Sequence, residues 1–142
     1  MTKFAATRFS KRDRKVEDEM KEIKTNNAPA AIGPYSQAIV VNNMVFTSGQ
    51  IPVNPETGEI PSGIEAQANQ VFINIENLLK ASGTSIEKVI KTTVFISDMN
   101  NFGAVNKIYE AYFKNPYPAR SCVEVSRLPK DVLIEVEVIA EI

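Results

Sequence analysis

The strand-like runs of this chain are apolar on both parities, yet only two segments have the pattern of a helix that could cover them. Met44 and Phe46 alternate with Val45 and Thr47, and Phe95 lies between Val94 and Ile96. Successive side chains of a strand point to opposite faces, so a sheet wetted on one side alternates apolar with polar. These runs do not alternate. Two helices can bury one face of a sheet, and the second apolar face then has to meet another surface. An oligomer is expected on this ground, though periodicity does not give its order.

The punctuation between the runs sets the order of elements. Asn42-Asn43 separates Ala38–Val41 from Met44–Ser48, and asparagine tolerates the left-handed backbone of a tight hairpin turn. Pro52 to Gly63 carries three prolines and two glycines and reads as a loop. Ser62-Gly63-Ile64-Glu65 has the spacing of a capping box ahead of a helix whose apolar face is Ile64, Ala68, Val71, Ile75, Leu78 and Leu79. Gly83 supplies its stop. Val89–Ser97 is rich in Val, Ile and Thr and reads as a strand. Asp98 or Asn100 caps a second helix with Phe102, Val105, Ile108, Tyr109 and Tyr112 on one face. After Pro116 and Pro118 come strands Ser121–Val125 and Leu133–Ile139, joined around Leu128-Pro129-Lys130-Asp131. The order β-β-α-β-α-β-β predicts an α+β fold, one mixed sheet with both helices on one face.

A chain of 142 residues suits one domain. Residues 1–24 hold 8 basic and 5 acidic residues, a balance of +3, and lack apolar periodicity. The rest holds 16 − 8 = 8 basic against 17 − 5 = 12 acidic residues, or −4. We therefore expect a flexible extension over 1–24 and a single domain over 25–142. The acidic cluster Glu17, Asp18 and Glu19 argues against both a transit peptide and a nucleic-acid arm, and leaves open only a transit sequence that ends before it. The acidic domain disfavours a nucleic-acid partner, since phosphates call for a basic surface. No apolar run approaches the roughly 20 residues of a membrane span, so no membrane role is expected. A single cysteine, Cys122, points to a reducing, cytoplasmic setting.

Histidine is absent, which excludes Ser-His and Cys-His nucleophile pairs and histidine metal sites. Catalysis has to rest on Arg, Glu, Tyr, Ser, Lys, backbone groups and water. In Pro118-Ala-Arg-Ser-Cys-Val-Glu-Val125, Arg120 shares a strand side with Cys122 and Glu124. Its guanidinium suits a two-pronged grip on a carboxylate, or a structural ion pair with Glu124. Glu135 and Glu137 share the other exposed-capable side of the last strand; if a neighbour covers that face, one of them is sheltered and its pKa raised. Cys122, with no base to activate it, reads as an inert thiol. Tyr35, Ser48 and Gly49 lie in turn-like pieces beside the first hairpin and suit either a structural or a ligand-facing role. Asn106 interrupts the apolar stripe of the second helix and suits packing or hydrogen bonding.

Taken together, Ala28-Pro-Ala-Ala-Ile-Gly-Pro-Tyr-Ser-Gln37, Thr47-Ser-Gly-Gln-Ile-Pro52, Lys91-Thr-Thr-Val-Phe95, Pro118–Val125 and Leu128-Pro-Lys-Asp131 resemble the Rid/YjgF reactive intermediate deaminases, also known as the endoribonuclease L-PSP family. The resemblance runs from about Thr25 to the C-terminus. It implies a chorismate-mutase-like fold and a homotrimer whose sheets form an inner barrel, with ligand clefts between subunits. It implies hydrolysis of 2-imino acids, such as 2-iminopropanoate and 2-iminobutanoate, to 2-keto acids and ammonia, with no metal or organic cofactor. By the same resemblance, Arg120 binds the substrate carboxylate and Glu135 positions the attacking water. Tyr35, Ser48, Gly49, Asn106 and Cys122 (through its main chain) line the cleft. The competing expectations are a non-catalytic carboxylate-binding regulator and an endoribonuclease or translation inhibitor.

Overall fold

The computed structural model describes residues 19–142. Its elements are strands β1 (Lys21–Ile23), β2 (Ala38–Val41) and β3 (Met44–Thr47), helix α1 (Ile64–Ala81), strand β4 (Val89–Ile96), helix α2 (Phe102–Tyr112), and strands β5 (Ala119–Glu124) and β6 (Ile134–Glu141). They form one six-stranded sheet in the order β1-β2-β3-β6-β4-β5. Only β4 and β5 run parallel. The α+β sheet with two helices agrees with the expectation, apart from one strand.

That strand is β1. The expected order began with the hairpin, but Lys21–Ile23 pairs antiparallel with β2, Glu22 opposite Ile39. Three residues are too few to show a periodicity, and charged Lys21 and Glu22 hide an edge strand whose pairing is made by backbone alone. Residues 1–18 of the expected extension lie outside the described residues.

Asn42 and Asn43 both take positive φ, 51° and 57°, which is the twist a two-residue hairpin needs. The expected capping box does not form. Gly63, at φ 88°, is the N-cap of α1 and no side chain caps the helix. Gln67 ties the start of α1 to its surroundings: its Nε2 donates to the Pro61 carbonyl and its Oε1 accepts from the Leu133 N–H. Gly83, at φ 86°, ends α1 as expected. Asp98 accepts from the Asn100 N–H and starts the turn that leads into α2.

The core lies between the helices and one face of the sheet. Phe72, Ile75, Leu78 and Leu79 of α1 are fully buried against Val45, Val94, Ile134 and Val136. Each such side chain contributes about 1.5–3 kcal/mol through its burial. Phe72 was not part of the expected stripe; it meets Tyr109, Tyr112 and Phe113 with ring centroids 5.1–5.8 Å apart. Two buried amides tie loops to this core. Asn74 donates to the carbonyls of Ile51 and Val53, and Gln37 clasps Thr25, Ala28 and Pro29.

The other face is bare and carries the apolar rows that the double parity required, interleaved with polar residues such as Thr93, Ser121 and Glu137. Register places Ile39, Phe46 and Ile139 in one row across β2, β3 and β6. A second row runs from Glu135 through Phe95 to Val123. Phe46 and Val123 are 41% and 44% exposed, values that a face shielded by helices would not show.

Candidate active site

Two groups of candidate residues come together, on opposite faces of the sheet. The first gathers around Arg120. In β5 this residue pairs in register with Thr92, which is fully buried on the helix side, so Arg120 points toward α2. Its guanidinium carbon lies 4.8 Å from the ring centre of Tyr109 and 5.5 Å from that of Phe102. Its Nη1 donates to Asn106 Oδ1 at 2.7 Å. Phe102, Asn106 and Tyr109 follow one another at helical spacing, so a single face of α2 supplies the whole support. Cation–π contact of this kind contributes about 0.5–2 kcal/mol and helps to fix the guanidinium in place.

The structural ion pair with Glu124 does not form. Glu124 accepts from the Met99 N–H at 2.8 Å instead, and the ion pairs among the described residues involve other groups. Arg120 thus keeps a charged edge with no carboxylate on it. A cleft of about 450 Å³ opens there, lined by Asn106, Tyr109, Glu110, Tyr117, Pro118 and Arg120. Tyr109 also shares a 2.8 Å hydrogen bond with the Thr92 hydroxyl. Burial raises the Tyr109 pKa, against the opposing pull of that bond and of Arg120, so the phenol stays neutral beside the cation. Cys122, two residues along β5, has its thiol pKa raised by burial, with Arg120 opposing. A neutral, half-buried thiol matches the inert reading.

The second group surrounds Glu135. This residue lies opposite Phe95 on the bare face. Its carboxylate rests against Gly49: a Cβ built on Gly49 would fall onto it, 2.8 Å from Cδ. Any side chain at position 49 would displace the carboxylate from this place. Burial raises the Glu135 pKa, and the neighbouring charge of Glu137 adds to the effect. Ser48 belongs to the frame of this group, because its hydroxyl donates to the Ser36 carbonyl at 2.6 Å. Tyr35 is half exposed on the Gly33–Gln37 turn, and its Oη accepts from the Ile32 N–H. Tyr35 and Gly49 line a common cavity of about 580 Å³.

Arg120, Asn106 and Cys122 therefore form one group of candidates, and Tyr35, Ser48, Gly49 and Glu135 form another, with the sheet between them. Phe102 and Tyr109, which stand against Arg120, were not among the sequence candidates, since aromatic side chains at helical spacing read as core. Their signal was Asn106 interrupting that stripe.

Comparison with known proteins gives the setting. The family Endoribonuclease L-PSP matches residues 25–142. The chain is 55% identical over 123 residues to the 2-iminobutanoate/2-iminopropanoate deaminase of Escherichia coli K12, covering 84% of this chain and 96% of that protein. It is similar in structure to E. coli TdcF with bound serine, at a TM-score of 0.82 and 50% identity, covering 86% and 98% of the two chains. A Rid-family protein from Yersinia pestis, described as of unknown function, gives a TM-score of 0.85 at 52% identity, covering 87% and 100%.

Proposed function

This chain belongs to the endoribonuclease L-PSP family, and from that membership we propose that it is a reactive intermediate deaminase whose site is completed by a second copy. It hydrolyses 2-imino acids to 2-keto acids and ammonia. Water adds its oxygen to the C=N carbon, and nitrogen leaves with the protons as ammonia.

The observation that carries this reading is the guanidinium of Arg120, held over the Tyr109 ring and by Asn106 yet with no carboxylate partner among the described residues. It is shaped to take the substrate carboxylate through two parallel bonds, which orients the adjacent imine carbon. Glu135, sheltered against Gly49, is the group that holds the water and relays a proton to nitrogen. Within one chain these two residues face opposite sides of the sheet. A homotrimer joined through the bare apolar faces, with clefts between neighbours, supplies the missing half to each site. Asn106 steadies Arg120, Cys122 contributes main chain, and Tyr35 and Ser48 form the mouth and frame of the other half.

No described helix is long and apolar enough to cross a membrane. The free thiol of Cys122 suits a reducing compartment, and we place the enzyme in the cytoplasm.

The direct test generates 2-iminopropanoate from serine with a dehydratase and traps unhydrolysed imine with semicarbazide. Faster pyruvate release and less trapped imine are expected. Unchanged rates with a folded, assembled protein would leave a carboxylate-binding regulator as the reading. A pH profile adds to this. Glu135 has to be ionised to hold water, so kcat/KM should rise as pH passes through its raised pKa. Glu137→Gln removes the negative neighbour that helps raise it. The acid limb should then move to lower pH, and an unmoved or upward-moving limb would remove Glu135 from the role.

A further inference from the structure

No step of the hydrolysis uses the turn Leu128-Pro129-Lys130-Asp131, which leads into β6. We infer that Lys130, on the wall of the cavity shared by Tyr35 and Gly49, is a specificity residue that favours imino acids whose side chain ends in a carboxylate. This rests on the deaminase reading above.

The backbone of the turn runs against local preference. Lys130 takes φ 55° and ψ 22°, and Asp131 follows with φ 55°. Residues with a Cβ disfavour this left-handed region, where glycine or asparagine is usual. Contacts on every side hold it. Arg127 grips both oxygens of Asp131, Nε to Oδ1 at 2.6 Å and Nη2 to Oδ2 at 3.1 Å. The Asp131 and Val132 N–H groups donate to the carbonyls of Leu128 and Pro129. The side chains of Leu128 and Val132 are buried at either end. Strain kept in place by its surroundings is a mark of ligand sites.

The grip on Asp131 has an electrostatic result. The carboxylate beside Lys130 in sequence is engaged by Arg127, and Lys130 makes no ion pair among the described residues. Pro129 and Lys130 belong to the wall of the cavity of about 580 Å³. Lys130 is the single charged side chain among the described residues of that wall, whose other members are neutral, such as Ala28, Ile51, Val53 and Asn54. It is exposed, and its flexible four-carbon stem lets the ammonium follow what enters the cavity. Gly49 links this wall to the chemistry, since the Glu135 carboxylate rests against it. A side chain that extends from a carbon reacting beside Glu135 into the cavity therefore meets one cation. The charge of Glu135 repels an anionic side chain, and Lys130 offsets that repulsion.

The experiment compares the imines that amino-acid oxidases make in situ from glutamate and glutamine, which match in length and differ in charge. In the wild-type protein, kcat/KM is expected to be roughly two- to fivefold higher for the glutamate imine, the size of a partly exposed ion pair. The ratio should shrink toward one in about 1 M salt, where charges are screened beyond about 3 Å. Lys130→Asn removes the cation and suits the left-handed backbone, so the fold is not at stake. Its ratio should fall to one or below, whereas Lys130→Arg should keep the preference. A wild-type ratio of one or less, or a preference that survives Lys130→Asn or high salt, would overturn the assignment. Loss of the preference in Lys130→Arg as well would make the turn rather than its charge responsible and would overturn it too. Failure to accelerate any imine, 2-iminobutanoate included, would instead overturn the deaminase reading.

Discussion

Replacing Arg120 by alanine is expected to lower kcat/KM by roughly a hundredfold to ten-thousandfold while the protein stays folded and assembled. The size follows from two charge-assisted bonds to the substrate carboxylate, each contributing about 1.5–3 kcal/mol in a sheltered cleft. The intact fold follows from what the side chain touches. Arg120 is exposed, makes one hydrogen bond to Asn106 and lies on two rings that have other support. Tyr109 keeps its bond to Thr92 and its packing on Phe72 and Phe113 without it. Arg120→Lys should recover little, because a point charge cannot make the paired contact or lie flat on Tyr109. Steady-state kinetics beside size-exclusion chromatography checks both parts. A variant that retains activity, or one that loses assembly together with activity, removes Arg120 as the carboxylate anchor.

The second expectation concerns the division of the site between copies. Arg120→Ala and Glu135→Gln should each be nearly inactive alone. When the two proteins are unfolded together and refolded as a 1:1 mixture, activity should return to roughly one quarter of wild type. In a closed ring, each cleft draws Arg120 from one copy and Glu135 from its neighbour, and random assembly leaves roughly one cleft in four with both intact. If both residues of a site came from the same chain, mixing would restore nothing. The prediction follows from registers: Thr92 opposite Arg120 on the helix side, Phe95 opposite Glu135 on the bare side. In the proposed assembly the bare face is also the joint. Phe46 and Val123, both substantially exposed in one chain, stand among Ile39, Phe95 and Ile139 on that surface.

Much of this was legible in the chain itself. The hairpin was written in Asn42-Asn43, because those residues accept the positive φ that the turn demands. The α1 stop was written in Gly83 for the same reason. Arg120, Cys122 and Glu124 share a side because a strand alternates, and the bare apolar face followed from counting helices against apolar parities. The family resemblance rested on ordered blocks that need no structure to read.

Other features depended on partners far along the chain. Ser62 was a plausible cap by spacing, yet Gly63 occupies that position, and Gln67 meets Pro61 and Leu133 across the start of α1. Strand β1 exists only because β2 offers it a free edge. Nothing local marked Gln37, Gln50 and Asn74 as interior residues, and long-range folding buried all three.

The sequence by itself determined the elements, the parity within each strand, the surplus apolar face and the chemistry that histidine's absence left open. Only the tertiary structure decided that Arg120 and Glu135 lie on opposite faces, and that Gly49 makes room for the carboxylate. The reason is physical. Alternation along a strand is local and fixed by backbone geometry, whereas the side a residue takes relative to another strand depends on register, and register is set by pairing between distant segments.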